Sequence, residues 1–393
     1  MLAASDGFTD VVKVLLSRGA DVAVEGDYGY TALILATSDG YIDVCKMLVE
    51  AGSDLEATTA TMGSTPLHLA GEGGNLELMR VFMEAGADMN TCRPDGASVL
   101  FTAAEKGHLG AVRELLRAEA NALLFRTDRQ TGATYVPLDT AAQNGHSEVA
   151  RELVRHAGIE GCGGQSGGVN ALRLAARGQH LDIMRELTGA GVMDTGEALI
   201  NAAECGREGS ALYLLQQQRQ QKGTLALRNR NASGAGGAYV ESRDSLTGAT
   251  PLFMCIAFCA SNAPRLVRLL VDAGADTTSR IRIRHVPGAT DTPLALTERC
   301  LKARNVNGKA ATEEQMFKLE AIRRLLLQVP AARAVSWLWP STTPVVSRGG
   351  AGEGARVAGT MSTPLISTFS ASRRRASRHG VSLASMFRHS TKP

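Results

Sequence analysis

Paired cysteines are missing from this chain. The seven it has (Cys45, Cys92, Cys162, Cys205, Cys255, Cys259 and Cys300) stand singly, odd in number and without a Cys-x-x-Cys, the usage of a reduced, intracellular protein rather than a disulfide scaffold. No charged stretch leads into an apolar segment at the N-terminus, and no apolar run of about 18 residues occurs, so neither secretion nor membrane spanning is predicted. The cytoplasm is the expected compartment and the nucleus the alternative; there the sequon Asn231-Ala232-Ser233 would stay unmodified. A strong charge imbalance is lacking too, with a formal charge of +3 over 393 residues, until the chain is divided. From Ser341 onward eight Lys or Arg face one acid, giving +7 and leaving about −4 to the first 340 residues, a body with no general affinity for polyanions or nucleic acid.

Catalytic groupings are equally scarce. Gly164-Gln165-Ser166-Gly167-Gly168 fits the G-x-S-x-G spacing, but a serine nucleophile needs a strand before that turn, and here a Gly-rich connector leads into a helix. Lys309 follows Gly308 without a Ser or Thr after it, which excludes a phosphate-cradling loop. Cys255 and Cys259 are spaced i, i+4 without a second pair, so each reads as a small buried hydrophobe. No pair of the eight histidines has ligand spacing. No metal, no cofactor and no enzyme activity are expected.

What the chain does have is a unit returning about every 33 residues, the period of stacked helical hairpins. Its purest copy is Thr65-Pro66-Leu67-His68-Leu69-Ala70, followed by Ala85-Gly86-Ala87-Asp88-Met89-Asn90. The second half returns as Arg18-Gly19-Ala20-Asp21, Ala51-Gly52-Ser53-Asp54 and Ala273-Gly274-Ala275-Asp276. Thr caps a first helix whose first turn Pro suits. Small Ala residues let neighbouring hairpins approach, a Gly permits the turn into a second helix with apolar residues at i, i+3 and i+4, and Gly-Ala-Asp closes it. These residues resemble the ankyrin repeat family, with good agreement in five of nine units over about residues 2–330. The resemblance implies an all-α solenoid of helical hairpins with β-turn or hairpin tips, and a role in holding other proteins. It also implies that His68, His108 and His146 hydrogen-bond within and between turns.

Nine units are read, the first starting inside its own first helix at Leu2-Ala3-Ala4, which suggests a fragment or a truncated gene model. Residues 1–215 form the first array, 216–244 a flexible insertion opening with glutamines, and 245–339 further units. The last of these holds a stretched loop around 305–309 and a C-terminal cap helix from about Glu313 to Gln328. Residues 340–393, rich in Ser, Thr, Gly and Arg, are expected to be disordered. Within them Arg373-Arg374-Arg375-Ala376-Ser377-Arg378 resembles a basophilic kinase site with Ser377 as acceptor, a nuclear import signal or a polyanion contact; a solvated basic patch is the plain alternative.

Carried over from the family, partner contacts fall on the tips and on the two residues after the Ala-Ala step. These are Tyr28, Tyr30, Ser38 and Asp39 in unit two, Met62, Ser64 and Glu72 in unit three, Asp95, Ala97, Glu105 and Lys106 in unit four, and Gln143 and Asn144 in unit five. With only 4% aromatic residues in the chain, Tyr28 and Tyr30 on one tip stand out as interface anchors, or else as packing between tips. The implied function is a non-catalytic scaffold or adaptor. The alternatives are a substrate-recruiting arm for an enzyme domain outside this chain, and a basic tail that contacts nucleic acid or an anionic membrane.

Overall fold

The computed structural model describes residues 1–329 except 27–28, 163–166, 229–238, 245–247, 260–261, 280, 283–289 and 307–308. Among the described residues the helices come in nine successive pairs. The third pair, Pro66–Gly73 and Leu76–Glu84, shows how local chemistry builds one hairpin. The Thr65 hydroxyl accepts a hydrogen bond from the His68 amide (3.3 Å), Pro66 opens the first turn, and Gly74 ends the helix at φ +66°. Asn75 then caps the second helix by accepting from the Leu78 amide at 3.2 Å. Thr31, Ser98 and Thr292 cap their first helices as Thr65 does. The fifth hairpin has Val136 at that position, which cannot cap. There Asp139, three residues on, accepts from the Val136 amide at 3.1 Å and so satisfies one of the free donors of the helix start.

First helices pack on first helices and second helices on second helices, hairpin after hairpin. In the second to eighth hairpins one leucine of the first helix is fully enclosed: Leu33, Leu67, Leu100, Leu138, Leu172, Leu199 and Leu252. Each second helix of the middle units buries an i, i+1, i+4 triplet, as in Leu78, Met79 and Phe82 or Ile183, Met184 and Leu187. Alanines fill the seam between first helices because nothing larger fits where backbones approach so closely, and Ala103, Ala104, Ala141, Ala142, Ala175 and Ala176 are all buried. The all-α hairpin array expected from the period is borne out.

The Asp of each Gly-Ala-Asp also has a use. Asp21, Asp54, Asp88 and Asp276 each accept from the amide two residues on, at 2.8 to 2.9 Å, fastening the start of the next tip in an Asx turn.

Three segments differ from the sequence reading. The helix Glu208–Arg228 runs through the glutamine-rich stretch that was read as the start of a loop. Apart from Gly223 and Thr224, the residues from 216 to 228 (Gln, Arg, Lys, Leu and Ala) are good helix formers, which accounts for a helix there. At the far end of that stretch Tyr239 and Val240 are buried, and the Tyr239 hydroxyl donates to Asp194 at 2.6 Å. The stretched loop around 305–309 is a short antiparallel ladder pairing Asn305 with Ala310 and Val306 with Lys309. It leads into the helix Glu313–Gln328, capped reciprocally by Thr312 and Gln315 and burying Leu319, Ile322 and Leu326. Ser166 and everything from 330 on, including the 340–393 tail and Ser377, lie outside the described residues.

Candidate binding face

The tips of the third, fourth and fifth hairpins lie side by side. The third tip closes with the Thr59 amide donating to the Ser64 carbonyl and the Gly63 amide to the Thr59 carbonyl. The fourth closes with the Arg93 amide on the Ala97 carbonyl, and the fifth through a ladder pairing Arg126 with Tyr135 and Thr127 with Thr134. The Thr127 amide donates to the Asp95 carbonyl at 2.9 Å, joining the fifth tip to the fourth by backbone, and Glu56 accepts from the Asp88 amide and the Thr91 hydroxyl, both at 2.9 Å, joining the third to the fourth at their bases. Between them runs a groove of about 810 Å³ with Thr58, Thr61 and Met62 on one wall and Arg126, Thr127 and Arg129 on the other. A smaller hollow of about 420 Å³ adjoins it and shares Asp95, Thr127 and Arg129; Leu123 and Phe125, both exposed, line it.

An ion-pair motif repeats beneath the groove. Arg93 Nη2 meets Glu72 at 2.9 Å and Arg126 Nη1 meets Glu105 at 2.9 Å, the same pairing displaced by one repeat, each spanning 21 residues. Lys106 adds a second cation to Glu72 at 3.0 Å. Burial pushes the Glu72 carboxyl up, but hydrogen bonds from Arg93 and Lys106 outweigh it and hold the group below its usual range. Arg126 also approaches Asp95 at 3.6 Å and stands 5.4 Å over the buried Phe101 ring, a cation–π contact.

A second ladder runs behind the tips. His108 Nε2 bonds the Glu72 carbonyl at 2.8 Å, His146 Nε2 the Glu105 carbonyl at 3.0 Å, and His180 Nε2 the Gln143 carbonyl at 3.3 Å. Arg207 Nε takes the same place on the Arg177 carbonyl at 2.9 Å. His68 bridges differently, with Nδ1 on the Thr65 hydroxyl at 2.9 Å and Nε2 on the Ala97 carbonyl at 3.2 Å. A carbonyl only accepts, so Nε2 carries the proton and Nδ1 accepts from the hydroxyl. The hydrogen-bonding role implied for His68, His108 and His146 is borne out.

The expected contact residues separate into groups. Met62 (59% exposed) and Asp95 line the groove, while Glu72, Glu105 and Lys106 stand beside it, tied into the ion pairs. Ser38 and Asp39 are exposed at the end of the second hairpin's first helix, and Gln143 and Asn144 at the end of the fifth's; the Asn144 amide is spent on the Glu105 carbonyl at 2.9 Å. Ser64 and Ala97 must be corrected: at 1% and 2% exposure both are buried. They immediately precede the helix caps Thr65 and Ser98, where the chain turns inward, and offer a partner no surface. Tyr30 is half-buried, its carbonyl accepting from the Gly26 amide at 2.8 Å, and Tyr28 lies outside the described residues.

Arg93, Arg126 and Arg129 were missed from sequence. Their signal was the recurrence of Arg93 and Arg126, and of Glu72 and Glu105, one period apart.

Among the described residues no helix is long and apolar enough to cross a membrane, and no group of His, Cys, Asp and Glu side chains is gathered to hold a metal ion. No curated protein matches the chain. A family profile described as ankyrin repeats, three copies, matches residues 1–59, 67–162 and 138–224, which covers the first seven hairpins and leaves the last two outside it. Over more than half its length, then, the capped first helices, the left-handed glycines and the stacked hairpins agree with that profile, and the chain belongs to the ankyrin repeat family.

Proposed function

We propose that this protein is a non-catalytic scaffold that holds a partner protein across the tips and first-helix ends of its second to fifth hairpins. Ankyrin repeats are protein-interaction modules, and the observation that carries the reading here is the groove between three tips that are bonded to one another before any partner arrives. A surface already ordered loses little conformational freedom on binding. The inward-facing ion pairs keep Glu72, Glu105, Arg93 and Arg126 in place, while Met62, Phe125 and Arg129 at the rim are free to contact a partner. Half-buried Tyr30 extends the surface toward the second hairpin, with Tyr28 two residues before it in sequence. The singly placed cysteines support an intracellular setting.

The test is affinity capture from the native cell, followed by titration calorimetry of each captured protein against the full chain and against Tyr28→Ala/Tyr30→Ala and Met62→Ala/Phe125→Ala variants. Hot-spot rings typically carry on the order of 2 kcal/mol, about thirtyfold in affinity. Loss of that size in either double variant, with an unchanged thermal melt, supports the reading. A captured partner indifferent to both removes the tip face from it.

A further inference from the structure

The groove has an excess of hydrogen-bond donors, and the excess specifies its ligand. Its two acids are largely committed. Asp95 accepts from the Ala97 amide at 3.1 Å through Oδ1 and faces Arg126 through Oδ2. Asp128 Oδ1 accepts from the amides of Gln130 and Thr131 at 2.8 and 3.3 Å, and those bonds hold its carboxyl below the usual range. The three arginines are not committed in the same way. Arg93 is 7% exposed and spends Nη2 on Glu72, yet its Nε is buried with no partner. Arg126 pairs through Nη1 and Nε, leaving donors over. Arg129 is exposed and makes no ion pair among the described residues. A buried guanidinium donor without an acceptor costs free energy that a ligand carboxylate would relieve. Leu123 and Phe125, exposed beside Arg129, add an apolar shelf next to the charge.

The geometry points to an extended segment of a partner protein that places an acidic side chain on Arg93, Arg126 and Arg129 and an adjacent apolar side chain on Phe125. This inference rests on the scaffold reading and names the chemistry of its partner. Planar guanidinium forks match a carboxylate in two-point contact, whereas lysines would offer only point charge.

The probe is a labelled peptide alternating Glu and Leu, read by fluorescence polarisation against the full chain. Its counterparts replace Glu by Gln, Leu by Ser, or Glu by phosphoserine. The Glu–Leu peptide is expected to bind at least about tenfold more tightly than the Gln–Leu one, to lose affinity as salt rises, and to slow amide exchange over 58–63 and 126–130. Arg129→Glu, at an exposed position with no ion pair among the described residues, is expected to abolish that difference while leaving the melt intact. Arg126→Gln is the second variant. Equal binding of the Glu and Gln peptides, or protection confined to other hairpins, overturns the inference. So does a phosphoserine peptide that binds where the Glu peptide does not. A captured partner that weakens with the Met62→Ala/Phe125→Ala variant, beside a Glu–Leu peptide that fails to bind, sinks the acidic ligand and leaves the scaffold standing.

Discussion

Two buried titratable side chains occupy the same place in different hairpins, three residues after the first-helix cap, and respond to acid in opposite ways. His68 is pushed down to about 4 by burial, against the pull of the Ala97 carbonyl. The unfolded chain therefore binds its proton first, and acidification from about pH 6.5 to 4 removes stability, by roughly 3 kcal/mol for the full shift. Asp139 is pushed up to about 6 by burial, against Asn170, the Val136 amide and Arg173. Its folded value lies above the unfolded one, so its contribution is fully present below about pH 4 and is lost as pH rises through 6, by a similar amount. The two nearly cancel between pH 4 and 6. Denaturant melts at pH 7 and 4.5 should show it: relative to the parent, Asp139→Asn loses stability on acidification and His68→Gln gains it. Parallel pH profiles for parent and both variants would mean that neither side chain is held as described.

At the scale of the helix and its turn, the stack depends on glycines in the left-handed region. Gly74 and Gly107 lie at φ +66° and +79°, and a Cβ there would stand 2.6 and 2.5 Å from Nδ1 of His108 and His146, the rings that bond the Glu72 and Glu105 carbonyls of the preceding hairpin. Gly107→Ala is expected to cost about 2 kcal/mol, from backbone strain and from displacing the His146 ring. Urea titration checks the value, and His146→Ala in the same background should recover the part due to the clash. The ion pairs along the second helices, Lys46–Glu77, Arg80–Glu114, Arg113–Glu152 and Arg151–Glu186, all run from a cation to an acid on the next hairpin. They are partly exposed and screened by solvent, and Arg80→Ala should leave the urea midpoint essentially unchanged.

The hairpins were legible in the sequence because Thr-Pro, Ala-Ala and Gly-Ala-Asp each report a backbone requirement that few other residues meet. The groove's arginines were not. A guanidinium reaching back 21 residues leaves no local trace, and only the comparison of Glu72–Arg93 with Glu105–Arg126 exposes it. Nor was the helix through Gln216–Arg228, where low-complexity composition suggested a loop although every residue but Gly223 and Thr224 favours a helix. Ser64 and Ala97 were misplaced for a related reason: two residues of offset at a tip separate an exposed side chain from one enclosed beneath a cap.

Across the whole array, stability is expected to be uneven, because each hairpin rests only on its neighbours. The first buries little beyond Ala4 and Val12, with Phe8, Val11, Val14 and Leu15 exposed, whereas the third and fourth enclose a full set of apolar side chains on both helices. Native-state hydrogen exchange should find amides 9–17 opening well before those of 76–84 and 109–117. Equal protection throughout would show that the array unfolds as a single cooperative unit.

The histidine ladder imposes something like a reading frame on insertions and deletions. Asn75 and His108 are 33 residues apart and His108 and His146 are 38 apart, yet both histidines meet their carbonyls at equivalent points. The surplus is taken up where the chain between the fourth and fifth hairpins folds out into the ladder Arg126–Thr127 and Thr134–Tyr135. Length can therefore be added at a tip without shifting any later unit out of phase, while one residue added within Leu109–Arg117 turns the buried face of that helix by about 100°. The edge proposed to meet a partner is thus the part where the sequence is free to be edited, and a foreign segment spliced between Asp128 and Thr131 should leave every hairpin downstream in register.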